Sequence, residues 1–307
     1  YKFIESKVVV VSLYTTTILT NMTLISFIAV SAYLILVVGE VSFGQQAFFG
    51  IGAYVMATGI TILELNIFFS MSLAFLTSSL AAFVLSTLTL RLSGLYFAIA
   101  SLSFAELFRL LMIQIRFSIE TQAGKIGPDG AEGFQNIRWI FDNDVSPQSF
   151  LLISFTSLLG LILILLFLER TFIIKNARLV GQDYIVAQAI GIRPATYRVA
   201  FISIAGGIAG FGGGLFALFN TYIEPSMFGI MLGVHALAYS IIGGLGTPVG
   251  PLIGVFIDIG LLESIRFVSE YRMIIFGGLV ALIVIIFPEG IISIKFIKKL
   301  SRFFSAN

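Results

Sequence analysis

The 307-residue chain contains no cysteine, which excludes a disulfide framework, a thiolate nucleophile and any Cys metal site. It has a single histidine, His235, so a zinc centre built from protein ligands alone is improbable. Charge is scarce as well: Asp, Glu, Lys and Arg make up 11% of the chain, against about 25% in soluble domains. The two signs nearly balance, 18 basic to 16 acidic, so nothing points to nucleic acid or another polyanion. Several chemistries have no residues to run on. There is no G-x-x-x-x-G-K-[ST] phosphate loop, no G-x-S-x-G elbow, no H-E-x-x-H helix and no S4-like ladder of arginines. No cofactor or metal is therefore expected.

What is abundant is apolar surface: 58% hydrophobic residues, 31 Phe, and a mean hydropathy of +1.05. That composition belongs to a polytopic membrane protein. A helix needs about 20 apolar residues to cross a hydrocarbon core of about 30 Å. Val8–Val38, Leu65–Leu90, Val145–Leu168, Val199–Ile223 and Pro225–Ile257 carry no Asp, Glu, Lys or Arg at all. Phe43–Ile62, Gly94–Arg116, Pro251–Arg266 and Met273–Pro288 are shorter or weaker candidates. The run after Lys7 is too long for a signal-peptide core. The expected fold is an all-α membrane protein, one polytopic bundle over 1–307 with about 8–10 transmembrane helices and Gly-rich broken helices.

Loop charge sets the expected orientation. Arg170, Lys175, Arg178, Arg193 and Arg198 oppose one acid, Asp183, so the loop at about 170–198 belongs in the cytoplasm. The tail at about 291–307, with Lys295, Lys298, Lys299 and Arg302, belongs there too, as a basic amphipathic piece. The loop at about 118–148 is acidic, with Glu120, Asp129, Glu132, Asp142 and Asp144, and belongs outside. Its Trp139, the only tryptophan, marks the membrane interface. Alternation then puts Tyr1 outside, in conflict with Lys2 and Lys7, which leaves the parity of the first spans open. Within the cytoplasmic loop, Gly181 to Gly191 reads as a short helix capped by Gly191 and stopped by Pro194.

Two Gly-rich interruptions resemble each other, Gly39–Gln46 and Gly243–Pro251. Paired interruptions point to broken helices around a central route, since irregular backbone at membrane depth needs protein or a watery cavity to satisfy it. Gly44, Gly244 and Gly246 are expected to reject valine, through positive φ or close backbone approach. Six glycines between Gly206 and Gly214 serve either tight helix packing or a helix made to break. Glu106 and Arg109 share a helix face, as an internal ion pair or a route-lining pair, with Arg116 two turns further on. Glu40, Asp258 and Glu263 have no partner assignable from sequence, and His235 is either a satisfied interior residue or a proton relay.

The run Gly39-Glu40-Val41-Ser42-Phe43-Gly44-Gln45-Gln46, continuing to Gly52-Ala53-Tyr54, resembles the first motif of the branched-chain amino acid ABC importer permeases. Leu90-Arg91-Leu92-Ser93-Gly94-Leu95-Tyr96-Phe97-Ala98 with Phe104-Ala105-Glu106-Leu107-Phe108-Arg109 resembles the second. Gly127-Pro128-Asp129-Gly130, Ala187–Ile192, Glu224–Gly229, Gly243–Thr247 with Gly250-Pro251, and Phe287-Pro288-Glu289-Gly290 follow in order. The long external loop favours the LivM-type subunit over its shorter LivH-type paralogue; permeases for urea or short amides share the motifs. Glu40, Gln45, His235 and Gln122-Ala123 depart from the family pattern, which bears on the solute.

The resemblance implies a multi-pass translocation subunit, not an enzyme, in the prokaryotic plasma (inner) membrane with a cytoplasmic C-terminus. Its implied partners are a second permease chain (LivH-type or a second copy), two ATP-binding subunits, an extracytoplasmic solute-binding protein and the bilayer. The implied route and substrate residues are Glu40, Ser42, Gly44, Gln45, Tyr54, Tyr96, Glu106, Arg109, His235, Gly244 and Gly246. Coupling to the ATPase falls to Asp183, Ala187, Ala189, Gly191 and Arg193, and binding-protein docking to Gly127, Asp129 and Gly130. The rival class is a stand-alone channel or ion-coupled carrier, in which Glu40, Glu106 or Asp258 would exchange protons or ions. Charged candidates for a fixed zwitterion site are few and scattered, so the permease alone is expected to bind solute at about millimolar or worse.

Overall fold

The structure, a computed structural model, describes residues 2–121, 124–263, 271–287 and 290–292, with side chains outside 2–12 and 120–125. The basic tail beyond 292, the Pro288-Glu289 pair and Gln122-Ala123 lie outside the described residues.

A chain this apolar must satisfy its own backbone polar groups, and helices do so within one segment. Helices α1 (Lys2–Val37), α2 (Gln45–Thr61), α3 (Ile67–Leu88) and α4 (Leu95–Gln114) come first. A short three-stranded antiparallel sheet follows: β1 (Ile119–Thr121), β2 (Gly124–Pro128) and β3 (Phe134–Gln135), in spatial order β1-β2-β3. Then come α5 (Trp139–Asp142), α6 (Pro147–Glu169), α7 (Phe172–Gln182), α8 (Tyr184–Ala189) and α9 (Pro194–Asn220). After a 3-10 turn (Pro225–Phe228) the chain closes with α10 (Ile230–Gly243), α11 (Gly250–Val255) and α12 (Arg272–Ile286). α11 runs on into a π-helical segment, Phe256–Leu262.

Among the described residues, five helices are long and apolar enough to cross a membrane: α1 from Leu13, α3, α4, α6 and α9. α10, α11 with its π extension, and α12 are shorter apolar helices, and α2 has 17 residues. The fold is the polytopic helical one expected, with the small sheet in the 118–148 loop as an addition. Side-chain caps fix two starts: Asn66 accepts from the Phe68 N–H at 3.0 Å ahead of α3, and Ser146 from the Ser149 N–H at 3.2 Å ahead of α6.

α9 is the centre of the main core. Its glycines do not break it; it stays one helix of 27 residues with Gly206, Gly207, Gly210, Gly212, Gly213 and Gly214 all buried. A Cβ on Gly213 would collide with the Phe49 carbonyl oxygen, and one on Gly52 with that of Gly210. α2 and α9 thus touch backbone to backbone, the packing mode available where lipid removes the hydrophobic drive. α3 meets the same helix with a stripe of small residues, Ser70, Ala74, Ser78 and Ala82, spaced four apart. Ser31 and Ser240 donate across the interfaces to the carbonyls of Ala205 (2.7 Å) and Ala29 (2.8 Å). A second apolar cluster joins α10, the π segment and α12 around Tyr239, Ile259 and Phe276.

Arg116 corrects one expectation. α4 ends at Gln114, and Arg116 instead pairs by its backbone with Asp129, so it is not a helical neighbour of Arg109.

Candidate functional site: two breaks and the helices that hold them

Both Gly-rich interruptions are real breaks, at residues 38–44 between α1 and α2 and at 244–249 between α10 and α11. They lie at the same end of the bundle, because one amphipathic helix, α7, holds both. Gly181 near the end of α7 presses on the first break: a Cβ there would lie 2.5 Å from the Val37 carbonyl oxygen and 2.7 Å from the Gly39 nitrogen. Arg178, one turn earlier, donates to the second break through the carbonyls of Leu245 (2.7 Å) and Gly246 (3.0 Å). The same guanidinium binds Glu169 at 2.7 Å and the Tyr33 hydroxyl at 3.0 Å, and Tyr33 donates to Glu169 at 3.0 Å. Gly246 therefore offers its carbonyl to Arg178, not to an open route. Ile291 and Ile292 close the break from the other side, their N–H groups donating to the carbonyls of Ile242 and Gly243.

The first break is held differently. Glu40, 5% exposed, pairs with Arg198 at 2.8 Å, and Arg198 also caps the Leu90 and Leu92 carbonyls. Ser42 accepts from the Gly44 N–H at 3.1 Å, and Ser101 of α4 accepts from the Phe43 N–H at 3.0 Å. Several buried polar atoms here have no partner: Glu40 Oε2, Arg198 Nε, Gln45 Nε2 and both amide atoms of Gln46. An unpaired buried polar group costs about 1–3 kcal/mol, so their clustering around Glu40 to Gln46 is informative. Of the three glycines expected to reject valine, Gly244 has positive φ (+92°), whereas Gly44 has φ −99° and Gly246 is not left-handed. At Gly44 the constraint is closeness, a Cβ being 3.1 Å from the Ser101 carbonyl oxygen.

The other expected route residues scatter. Tyr54 is buried in an aromatic group with Phe108 and Phe228, ring centroids 6.3 and 6.0 Å away, its hydroxyl unpartnered. Tyr96 is 72% exposed on the outward face of α4. Glu106 and Arg109 form the expected pair at 2.5 Å on that same outward side, and Glu106 lines a groove of about 720 Å³ with Ser103, Leu107, Leu110, Gln114 and Ile230. His235 stacks on Tyr239 and meets Phe276 edge-on. It lines a separate, partly polar pocket of about 280 Å³ with Asn21, Asn220, Glu263 and Arg272. Asp258 and Glu263 both find their partner in Arg272, at 2.8 Å each, and Tyr239 donates to Asp258 at 2.5 Å.

The 170–198 loop holds two helices where one was expected. In α7 the buried residues Ile174, Ala177 and Val180 recur every third position, a signal present in the sequence. α8 starts at Asp183, whose carboxylate accepts from the Ile185 (2.9 Å) and Val186 (3.1 Å) N–H groups. Gly191 has φ +86° with open space around it, as a helix-ending glycine should, and Pro194 opens α9. Ala187 is buried, while Ala189 and Arg193 are exposed. Tyr184, Ile185, Val186 and Ile190 put a bare apolar face on α8.

At the opposite end, Gly127 and Gly130 carry φ of +129° and +59° against the Phe117 and Ile113 carbonyls, and Gly130 is buried. They shape the sheet, and a docking partner would meet exposed neighbours such as Ala131 and Glu132. The sheet is tied to the α9–α10 connection by paired hydrogen bonds between Phe134 and Ile223, 2.7 and 3.0 Å. There Glu224 accepts from the hydroxyls of Ser226 and Tyr222 (2.6 Å), which holds its carboxyl below the usual carboxylate range. The same hydrogen bond to Glu224 pushes the Tyr222 hydroxyl up to about 12.

Apolar helices of membrane length, interrupted twice at one end with both interruptions clamped by one loop helix, mark a polytopic membrane protein. The chain belongs to the family described as "Branched-chain amino acid transport system / permease component", whose model matches residues 14–287. It is similar to the high-affinity branched-chain amino acid transport system permease protein LivM of Salmonella typhimurium, 27% identical over 278 residues, 83% of this chain and 64% of that protein. The LivM protein of Escherichia coli is 26% identical over 274 residues, with the same coverage. The LivH protein of Escherichia coli is 25% identical over 137 residues, 44% of each chain. The chain thus spans less than two-thirds of the length of the LivM proteins it matches. No solved structure matches it.

Proposed function

We propose that the chain is the translocation subunit of an ATP-driven importer of branched-chain or other small neutral amino acids, in the prokaryotic plasma (inner) membrane. Its α7–α8 end and its C-terminus face the cytoplasm, as the basic loops suggest. Two ATP-binding subunits, an extracytoplasmic solute-binding protein and a second permease chain, a paralogue or a second copy, complete the machine. The observation that carries this reading is α8. It is a short helix with a bare apolar face, joined without slack to α7, which grips both breaks through Gly181 and Arg178. A push on α8 by a nucleotide-driven partner reaches the two irregular points of the bundle directly.

Two further observations support it. Glu106 and Arg109 are partly exposed on the outward face of a membrane-length helix, where lipid is a poor neighbour for ions and a second permease chain a good one. The carboxylates that a proton-coupled carrier would use, Glu40, Glu106 and Asp258, are each paired with an arginine, which disfavours proton exchange. Selection before delivery leaves the permease needing only weak affinity, about −4 kcal/mol at millimolar.

The test is Ile185→Asp with Ile190→Asp, at exposed positions; Ala187 is buried, so a charge there would disturb α8 itself. Copurification from native membranes should bring down ATP-binding subunits with the wild-type chain and lose them with the double variant. Uptake that survives both the variant and ATP depletion would establish the stand-alone carrier instead.

A further inference from the structure

Among the described residues, Gln46 stands apart as a buried side chain whose whole amide is unmet. It is 1% exposed, and neither its Oε1 nor its Nε2 has a hydrogen-bond partner. Gln45 beside it is fully buried; its Oε1 lies 3.2 Å from the Ser31 hydroxyl, which it shares with the nearer Ala205 carbonyl, and its Nε2 is unpartnered. Both sit in the first turn of α2, directly after the first break. Gly44 supplies no side-chain cap there, and the first N–H groups of a helix have no acceptor within it. A helix start carries partial positive charge and favours a carboxylate or another strong acceptor.

The place is also shielded in a way that can be undone. The Gln46 amide fits because Gly233 of α10 has no side chain: a Cβ there would collide with Gln46 Oε1. Ile230, one turn before Gly233, lines the outward groove with Leu102 and Glu106 of α4. The seam between α4 and α10 thus separates Gln46 from that groove. Beyond Gln46 along the same face of α2, Gly50 is covered by the rings of Phe108 and Phe228, and Tyr54 by the same pair. Phe228 belongs to the 3-10 turn at the sheet end and stops the column there.

We propose that the first turn of α2, with the Gln46 carboxamide at its centre and the Gln45 amide beside it, is a recognition point for a planar carboxylate or carboxamide group of the translocated solute, closed here by Gly233 and the α4–α10 seam. This rests on the importer reading above. The amide donates to the solute oxygen and accepts from its N–H where one exists, while Tyr54, Phe108 and Phe228 meet the apolar side. Its weakness suits passage: two amides and a helix start hold a solute without a buried counter-charge to trap it.

The full importer in membrane vesicles, given labelled leucine and isobutyramide as probes, tests it. Gln46→Leu removes the unpartnered amide at similar size, so thermal stability should hold or rise while uptake of both probes falls about tenfold or more. Gln46→Glu should abolish leucine uptake and spare isobutyramide. Uptake within about twofold of wild type in Gln46→Leu, or leucine uptake retained in Gln46→Glu, overturns the proposal while the importer stands. A wild-type chain that carries neither probe with ATP overturns the importer reading, and the proposal with it.

Discussion

The two breaks look alike in sequence and are built on opposite principles. At 244–249 no buried side-chain polar atom is left without a partner among the described residues: Arg178 takes two carbonyls, and residues 291 and 292 donate to the two carbonyls just before the break. At 38–44 the holding contacts come from side chains, and five buried polar atoms on Glu40, Gln45, Gln46 and Arg198 go unpaired. A saturated break is a fixed point. An unsaturated one stores a demand for partners that another conformation or a solute can meet. A glycine-rich interruption marks where backbone regularity ends and says little about what replaces it.

The largest expected effect lies at the saturated break. Arg178→Ala would leave Glu169 with the Tyr33 hydroxyl but no counter-charge and strand the carbonyls of Leu245 and Gly246, a loss of about 3–5 kcal/mol. Thermal unfolding in detergent should show it as a lowered midpoint. At the unsaturated break Arg198→Ala should cost about 2–3 kcal/mol in the same assay, from the freed Leu90 and Leu92 carbonyls and the lost counter-charge of Glu40. Equal midpoints for the two variants would erase the distinction.

The glycines sharpen it further. Gly244→Ala forces a Cβ into φ +92° and should cost about 1–3 kcal/mol. Gly44→Ala, with φ −99° and a near but not impossible contact to Ser101, should cost about 0.5–1 kcal/mol. The smallest effect is at the far end, away from both breaks. Glu224 has a depressed carboxyl pKa when folded, so its contribution is present above the unfolded value of about 4.3 and fades as pH falls through the folded one. Glu224→Gln should narrow the difference between unfolding midpoints at about pH 7 and about pH 3 by a small amount. Tyr222 should ionise near 12 by ultraviolet titration in the wild type and at a lower pH in that variant, since its first partner is the Glu224 carboxylate.

Much of this molecule is legible in advance for local reasons. Five uncharged runs correspond to α1, α3, α6, α9 and the α10–α11 pair, because span length and charge exclusion are properties of the chain itself. Glu106 and Arg109 are legible as a pair because a helix brings i and i+3 together whatever surrounds it. The stop at Gly191 and the start at Pro194 follow from φ preferences of single residues. α7 is harder to see, although its three-residue spacing of Ile174, Ala177 and Val180 is in the sequence, because its Arg and Lys give the segment the look of a loop.

Other features have no local signal. Arg178 and Tyr33 meet across 145 positions, and Ser31 and Ala205 across 174. Arg272 reaches Asp258 and Glu263 only once the π-helical turn has placed them on one side. Composition, span positions and the two breaks were the sequence's to determine, since a span or a break depends on one continuous stretch of chain. Which break is saturated, whether the α9 glycines bend or pack, and why the Gln46 amide is left wholly without partners while Gln45 keeps one were decided by tertiary structure. Those outcomes depend on which backbone surfaces come within a methyl group's reach, and only the assembled bundle sets that distance.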